Sequence, residues 1–286
     1  MGKDKRKGTV DELNMNIPIW TFAVVTVGLP GVSLALCFIT GFIFRFDDVN
    51  ETMCEVKNYI PSISAVTGIT PQTYVWRTCI ALHAAPRFAV TLIYYNYYLA
   101  RIQHVPSHRV GLFKFLIKLN FWLNFVENSC LVLVAYITNR ENYPVHEKIF
   151  VVFMVTSLCY MLLNTIIYKW TRGPEMSETE NRSYWWKKAM FVSISAATIG
   201  LIFFFIQHRL FCVVGAFSMF SVCEYVIAYT NMAYHFTGYL DFKGQSLMFG
   251  QLQREGDNHN SNGTALTDNS NGTALTNNNK DKAKVH

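Results

Sequence analysis

Residues 17–44 read IPIWTFAVVTVGLPGVSLALCFITGFIF, a stretch of 28 residues without a single charged side chain. A helix needs about 20 apolar residues to cross the hydrocarbon of a bilayer, where water cannot satisfy the backbone hydrogen-bonding groups. The stretch is too long for the apolar part of a cleaved signal peptide, and no small-residue cleavage site follows it. It therefore predicts a first membrane-spanning helix.

The composition of the whole chain agrees with this interpretation. Of 286 residues, 51% are hydrophobic and only 15% are charged, whereas charged residues make up about 25% of an ordinary soluble protein. A water-soluble globular enzyme is thus not expected. The net charge of +6 is not arranged as a basic stripe with interleaved aromatic residues, so no nucleic-acid partner is expected.

Five further stretches are long and apolar enough to span a bilayer. We therefore predict an all-α fold, a polytopic bundle of six transmembrane helices. The five additional segments cover residues 78–99, 113–137, 149–168, 189–206 and 213–234.

The Lys and Arg residues predict the orientation, because short cytoplasmic loops carry the excess of positive charge. They concentrate in the N-terminal segment and in the second and fourth loops, which puts both termini in the cytosol. The expected organisation is a cytosolic segment 1–16, a transmembrane domain 17–240 with a lumenal loop 45–77, and a disordered cytosolic tail 241–286. The tail contains a polar duplication with a nine-residue period, in which 260–267 recurs as 269–276.

The last residues, Lys282-Ala-Lys284-Val-His286, resemble the dilysine signal that returns membrane proteins from the Golgi to the endoplasmic reticulum. A merely basic tail is the alternative interpretation.

Two of the seven cysteines are expected to matter. Cys54 and Cys212 are predicted in loops on the lumenal, oxidising side, so they are the candidates for a disulfide. Asn50 begins a glycosylation sequon on that side, whereas Asn262 and Asn271 should be silent in a cytosolic tail. No His and Cys spacing indicates a metal site, and none is assigned.

Three charges fall deep inside the apolar segments, where burial is costly. Arg87, Glu127 and Glu224 are each predicted near the bilayer midplane, where we expect Arg87 to lie between the two carboxylates. Helical spacing adds polar neighbours on the same faces. The candidate catalytic residues are His83, Glu127 and Glu224, and the candidate substrate-binding residues are Arg87, Asn124, Asn128, Asn231 and His235.

Two interpretations of this cluster stay open. It is either a structural ion cluster that specifies helix packing or a substrate site in which Arg87 attracts an anionic head group and His83 acts as a general base. His146-Glu147, predicted in a lumenal segment, is a second acid–base candidate or an exposed pair without a role. Standard catalytic signatures such as Gly-x-Ser-x-Gly and HExxH do not occur.

The motifs that surround these residues resemble one family closely. They are Asn58-Tyr59-Ile60-Pro61-Ser62-Ile63-Ser64, Leu82-His83-x-Ala85-Pro86-Arg87-Phe88, Val126-Glu127-Asn128, His146-Glu147, Cys223-Glu224-Tyr225 and Thr230-Asn231-Met232-Ala233-x-His235. In order and spacing they look like the post-GPI-attachment-to-proteins factor 2 family, from about residue 21 to residue 241. The damage-regulated autophagy modulators are similar six-helix proteins in the wider family.

The resemblance implies a Golgi membrane protein; the dilysine, which lies outside the resemblance, would add cycling through the endoplasmic reticulum. It implies a role in fatty-acid remodelling of GPI anchors, in the step that reacylates lyso-GPI at sn-2 with a saturated, typically stearoyl, chain. The expected partners are the lyso-GPI of anchored proteins and membrane lipids.

Catalysis is one hypothesis for that role. In it the chain is a lyso-GPI O-acyltransferase whose His83 deprotonates the sn-2 hydroxyl, with acyl-CoA or a phospholipid as donor and no cofactor. The second hypothesis is a non-catalytic lipid-binding partner of a separate acyltransferase. A transporter ranks last, since no internal repeat between the halves is found.

Overall fold

The computed structural model describes residues 15–172 and 176–249. These residues are almost entirely helical, with one short β pair. The elements are β1 (Met15–Pro18), α1 (Ile19–Phe44), α2 (Phe46–Asn50), α3 (Ile63–Thr67), α4 (Gln72–Ala100), 3₁₀ turns at Ile102–His104 and Ser107–Arg109, α5 (Val110–Tyr136), α6 (Asn139–Trp170), α7 (Glu178–Phe211), α8 (Ala216–Phe236), α9 (Gly238–Asp241) and β2 (Ser246–Phe249).

Three helices are long and apolar enough to cross a membrane by length and composition. They are α1, α6 and α7. Helices α4, α5 and α8 contain 29, 27 and 21 residues, which at about 1.5 Å per residue are also long enough. Their apolar sequence is interrupted by polar residues that point inward, and they carry most of the candidate site.

The long helices form a closed ring. In turn, α1 packs against α4, α4 against α5, α5 against α6, α6 against α7, α7 against α8, and α8 against α1. Two capping boxes fix helix starts in this ring, one made by Thr138 and Glu141 at α6 and one by Ser177 and Glu180 at α7. A capping box satisfies backbone N–H groups that the first helical turn leaves unpaired.

The distribution of polarity differs from that in a soluble protein, because polar side chains are buried beside three apolar core clusters and the outer surface is apolar. Buried positions include the charged and amide side chains of His83, Arg87, Asn124, Glu127 and Asn231, while large apolar side chains cover the outside. On α1 the exposed set is Val24, Val25, Val32, Leu36, Ile39 and Ile43. An apolar surface this continuous is typical of contact with lipid.

The pairing of β1 with β2 was not expected from the sequence. The first helix, predicted from residue 17, begins at Ile19 because Pro18 holds an extended conformation, with φ −56° and ψ 138°. The Ile19 N–H continues the pairing with a 3.2 Å bond to the Gln245 carbonyl. Strand β2 falls within the stretch assigned to the tail, while the tail repeat and its dilysine lie outside the described residues.

The first long loop is folded onto the ring. Between α1 and α4 it forms the short helices α2 and α3, and it ends at Pro71, before the predicted boundary at 77, because α4 begins at Gln72. Outside the spanning helices, a hydrogen bond from Arg45 to the Asp48 carboxylate, at 2.6 Å, lowers the pKa of Asp48. This loop covers the end of the ring that contains the candidate site.

Candidate functional site

A cavity of about 100 Å³ lies inside the ring beneath the first loop. Its walls are mostly apolar, with side chains such as Leu34, Trp76, Ile80 and Phe153. A small set of polar side chains also faces it, as is common in ligand sites. These are Ser64, Thr67, His83, Arg87, His146, Glu224 and Asn231.

His83 lies on the cavity wall with its ring fixed by the backbone. It is 1% exposed, and its Nδ1 lies 2.6 Å from the carbonyl oxygen of Thr26 in α1. Because a carbonyl oxygen only accepts, Nδ1 carries the proton and donates. Nε2 of the neutral ring therefore keeps a lone pair, which is the state a general base requires.

Arg87 and Glu127 form the buried ion pair that the sequence suggested. Arg87 Nη2 lies 3.7 Å from Glu127 Oε1, with the two side chains 4% and 0% exposed. Glu127 Oε1 also accepts a 2.7 Å hydrogen bond from Asn231, and Asn231 donates a second one to Ser157 Oγ in α6. The pair thus links α4, α5, α6 and α8.

His235 lies between the two charges. Its Nε2 is 2.9 Å from Arg87 Nη2 and 3.1 Å from Glu127 Oε1. One ring nitrogen cannot both accept from Arg87 and donate to Glu127, so the position of its proton decides which partner is bound. Tyr160 of α6 stacks on the ring, with centroids 5.5 Å apart.

Glu224 does not complete the layer around Arg87 as the sequence analysis predicted. Its Oε2 accepts a 2.8 Å hydrogen bond from the backbone N–H of Ile63, at the start of α3. The physical reason is the folded loop, which brings unpaired N–H groups of a helix start within reach of the carboxylate. Glu224 therefore faces the cavity while it fastens the loop above it.

The two remaining asparagines border this cluster. Asn124 Oδ1 lies 3.5 Å from Arg87 Nη2, and Asn128 Nδ2 donates to the Ala84 carbonyl at 3.2 Å. Buried atoms without a hydrogen-bond partner among the described residues include Arg87 Nε, Glu127 Oε2 and Asn128 Oδ1. Leaving such groups unpaired costs free energy, so this layer has capacity to bind a polar ligand group.

Arg87 and His235 also border a second, smaller cavity. It measures about 40 Å³ and lies between α1, α4 and the α8–α9 turn, with walls that include Phe22, Val90 and Tyr94. The charged layer is therefore accessible from two directions within the ring.

His146 lies in the site rather than in an exposed loop. It belongs to α6, close to a kink at which Asn142 leaves helical geometry and Pro144 follows. Its Nδ1 is 2.6 Å from the carbonyl oxygen of Ile137, and the ring lines the same cavity as His83.

The loop over the cavity is fastened at several points. Cys54 and Cys212 form a disulfide with a Cα–Cα distance of 5.6 Å. Asn58 accepts a 2.6 Å hydrogen bond from Ser218 Oγ, whose oxygen accepts one from the Tyr59 N–H. These contacts join the loop to the start of α8.

The environment of Asn50 argues against glycosylation of the folded protein. Its side chain is buried, 9% exposed, and Nδ2 donates a 3.0 Å hydrogen bond to the Phe46 carbonyl. Oδ1 accepts from Asn58 Nδ2 at 3.2 Å. The nitrogen that would carry the glycan is engaged inside the loop.

Several residues of the polar layer were not predicted from the sequence. Thr26 orients His83, and α6 contributes a stripe of polar side chains. The stripe is Ser157, Tyr160 and Asn164, at spacings of three and four residues that place them on one face. This periodicity was a usable signal, but none of these residues is charged.

A metal centre has no counterpart in the parts of the chain that the structure describes. Within residues 15–172 and 176–249, no three His, Cys, Asp or Glu side chains are grouped to hold an ion.

Comparison with known proteins identifies the family. The model of the Frag1/DRAM/Sfk1/Cwh43P N-terminal domain matches residues 18–245. The chain belongs to this family. The match contains all the candidate site residues, both histidines of the cavity and the fastened loop.

Several curated proteins are similar to this chain over most of its length. A "Post-GPI attachment to proteins factor 2-like" protein of Drosophila melanogaster is 48% identical over 236 residues, 81% of this chain and 72% of the relative. An "Acyltransferase PGAP2" of Xenopus tropicalis is 38% identical, covering 80% and 89%. A "Post-GPI attachment to proteins factor 2" of Caenorhabditis elegans is 32% identical, covering 83% and 90%. No solved structure matches the chain.

Proposed function

We propose that this chain is a membrane acyltransferase that remodels GPI anchors, by reacylating lyso-GPI at sn-2 with a saturated, stearoyl chain. The observation that carries the proposal is the cavity in which His83, with its Nε2 lone pair free, shares an apolar wall with Arg87. A hydroxyl acceptor, a phosphate and an acyl chain each find a matching group there. The names of the relatives support the pathway.

In this mechanism His83 acts as general base. Its Nε2 takes the proton of the sn-2 hydroxyl, and the oxygen attacks the carbonyl carbon of the donor. The hydrogen bond to the Thr26 carbonyl keeps the proton on Nδ1 of His83, so Nε2 is free to accept the proton of the hydroxyl. The apolar walls exclude water that would compete as acceptor.

Arg87 binds the phosphate of the lyso-GPI. A guanidinium is suited to this task because it stays charged and presents several N–H donors in one plane. Glu127 compensates the charge of Arg87 when the site is empty, and Asn231 and His235 hold that carboxylate in position. Asn124 and Asn128 complete the polar wall on α5.

Glu224 acts as a positioning residue in this proposal. Its bond to the Ile63 N–H holds α3 over the cavity, so the loop closes the end from which the lipid head group enters. We assign the loop to the lumenal face, where the lyso-GPI lies.

We propose a topology of six spans with both termini in the cytosol, in the Golgi membrane and with cycling through the endoplasmic reticulum. The ring of α1, α4, α5, α6, α7 and α8 supports six spans. The donor is an acyl-CoA or a membrane phospholipid. The smaller cavity beside Arg87 and His235 favours a donor that approaches from the other side of the charged layer.

A non-catalytic role is the second candidate. The Arg87–Glu127–His235 cluster joins α4, α5 and α8, and Asn231 extends it to α6 through Ser157, as expected of groups that specify packing. In that case the chain binds or presents lyso-GPI to a separate acyltransferase, and His83 only stabilises the contact between α1 and α4.

The experiment that separates these candidates uses the purified protein alone in liposomes that contain lyso-GPI. Stearoyl-CoA and a stearoyl phospholipid are supplied in turn, and wild type is compared with His83→Asn. The amide nitrogen of Asn lies as many bonds from Cα as Nδ1 of His, so this variant keeps the donor to Thr26 and removes only the base. His108→Asn, at an exposed loop position, is the matched control.

We expect product from wild type and from the control, and a loss of about 100-fold or more in His83→Asn. Equal rates in all three proteins would remove His83 from the mechanism. Product only after addition of a second protein would establish the helper role instead.

A further inference from the structure

The cavity contains a second histidine with the same geometry as His83. Nδ1 of His146 lies 2.6 Å from the Ile137 carbonyl, and Nδ1 of His83 lies 2.6 Å from the Thr26 carbonyl. Because each carbonyl only accepts, both Nδ1 atoms carry a proton. Each ring therefore presents the other nitrogen, Nε2, for proton exchange in the cavity that both rings line.

The fold places His146 there by two local features. Pro144 and the non-helical Asn142 bend the first part of α6, as a proline within a helix commonly does. Ile137 caps the C-terminal end of α5, where carbonyls lack partners within the helix. The imidazole satisfies the Ile137 carbonyl, which fixes its orientation while the ring stays partly buried.

We propose that His146 is the general acid of the acyl transfer, opposite His83 as the base. This inference rests on the proposed function, because it assigns the second proton transfer of the same reaction. A general acid accelerates transfer most when the leaving group is strongly basic. The assignment of His146 therefore favours an oxygen ester as donor, whose leaving group is an alkoxide.

The step balances in protons and electrons. The acceptor O–H bond breaks, its proton moves to Nε2 of His83, and the oxygen bonds to the acyl carbon. The bond between that carbon and the leaving oxygen or sulfur then breaks with its electron pair. The leaving atom takes the proton from Nε2 of protonated His146, and exchange with water restores both histidines.

The need for the acid depends on the leaving group. An alkoxide is far more basic than a thiolate, so a phospholipid donor gains most from protonation and a CoA thioester gains less. p-Nitrophenyl stearate releases a weakly basic anion and needs no acid. A residue that only supports the fold would affect all three donors alike.

The test measures transfer to lyso-GPI by the reconstituted full chain with these three donors. His146→Asn keeps a nitrogen donor for the Ile137 carbonyl and removes Nε2. His83→Asn removes the base, and His108→Asn is again the control. Should His146→Asn fail to fold in a thermal unfolding assay, His146→Gln keeps the side-chain length and is used in its place.

With the phospholipid we expect His146→Asn to lose about 100-fold or more in rate, and with p-nitrophenyl stearate to stay within about threefold of wild type. His83→Asn should be slow with every donor. A loss in His146→Asn that is equal for all donors, or no loss at all, would refute the acid role. Absence of product from wild type with every donor would instead refute the proposed function, and this inference with it.

Discussion

At the scale of single residues, the interior of the ring depends on the balance of buried charge. Glu127 is 0% exposed and provides the only carboxylate within 4 Å of Arg87 among the described residues. Removal of one member of such a pair leaves the other charged and without water. That loss costs more than the pair contributes when intact.

Glu127→Ala should therefore lower the free energy of unfolding by about 3–5 kcal/mol. Glu127→Gln should cost less, because its amide oxygen still accepts from Asn231. Thermal unfolding of the detergent-purified protein measures both, and Glu51→Ala in the exposed part of the loop is the control. Unfolding of Glu127→Ala at the wild-type temperature would show that Arg87 has another counter-charge.

Arg87→Lys tests the phosphate role separately from the fold. The substitution keeps a positive charge near Glu127 but replaces a planar fork of donors with a point charge. We expect the KM for lyso-GPI to rise about tenfold or more, as loss of a hydrogen bond to a charged group predicts, with kcat changed less. A reduced kcat at constant KM would assign Arg87 to the transition state instead.

At the scale of elements, the loop between α1 and α4 is held by one covalent and several polar contacts. The Cys54–Cys212 disulfide closes a segment with a sequence separation of 158 residues, and Glu224 fastens α3 from below. Both attachments hold the loop over the cavity.

Replacement of both cysteines, Cys54→Ser with Cys212→Ser, should destabilise the protein by about 2–5 kcal/mol. The effect should appear first in the loop, as faster proteolysis between residues 45 and 71, because the ring helices keep their own contacts. Limited proteolysis followed by mass spectrometry locates the cuts. Cys159→Ser, on the exposed face of α6, is the control and should leave the digestion pattern unchanged.

The sequence predicted the helices better than it predicted their partners. Apolar length located α1, and helical spacing placed Glu127 and Asn231 inward, because both follow from local sequence. The partner of Glu224 did not follow, since Ile63 N–H reaches it only once the loop has folded over the ring. His146 was assigned to an exposed segment for a related reason: only the kink at Asn142 and Pro144 turns it inward.

At the scale of the whole molecule, the ring buries a layer of polar side chains among its apolar core clusters and is apolar outside, so its stability depends on the surrounding lipid as well as on its own core. Orientation follows from that arrangement together with the charges of the loops. Neither this arrangement nor the orientation depends on a single residue, so the topology is best tested on the intact chain.

Native sequons provide that test. Asn262 and Asn271 should remain unglycosylated in cells, because the proposed topology keeps the tail in the cytosol. Asn50 should also remain unmodified, since Nδ2 is engaged within the folded loop. A fourth native sequon, Asn181-Arg182-Ser183, lies on the side that the proposed topology also keeps in the cytosol. A mobility shift on removal of N-glycans measures all four, and the wild-type protein should show none.

An engineered sequon in the first loop tests the same topology through the gain of a glycan. Glu55 has a φ of 54°, a left-handed conformation that Asn tolerates better than most residues, and both Glu55 and Lys57 are exposed. Glu55→Asn combined with Lys57→Thr therefore creates a sequon on the face that we assign to the lumen, and this variant should shift by one glycan. A shift of the wild-type tail without a shift from the new sequon would reverse the orientation. The first loop would then face the cytosol, together with the cavity that it covers. Acyl-CoA is directly available on that side, but the lyso-GPI head group is not.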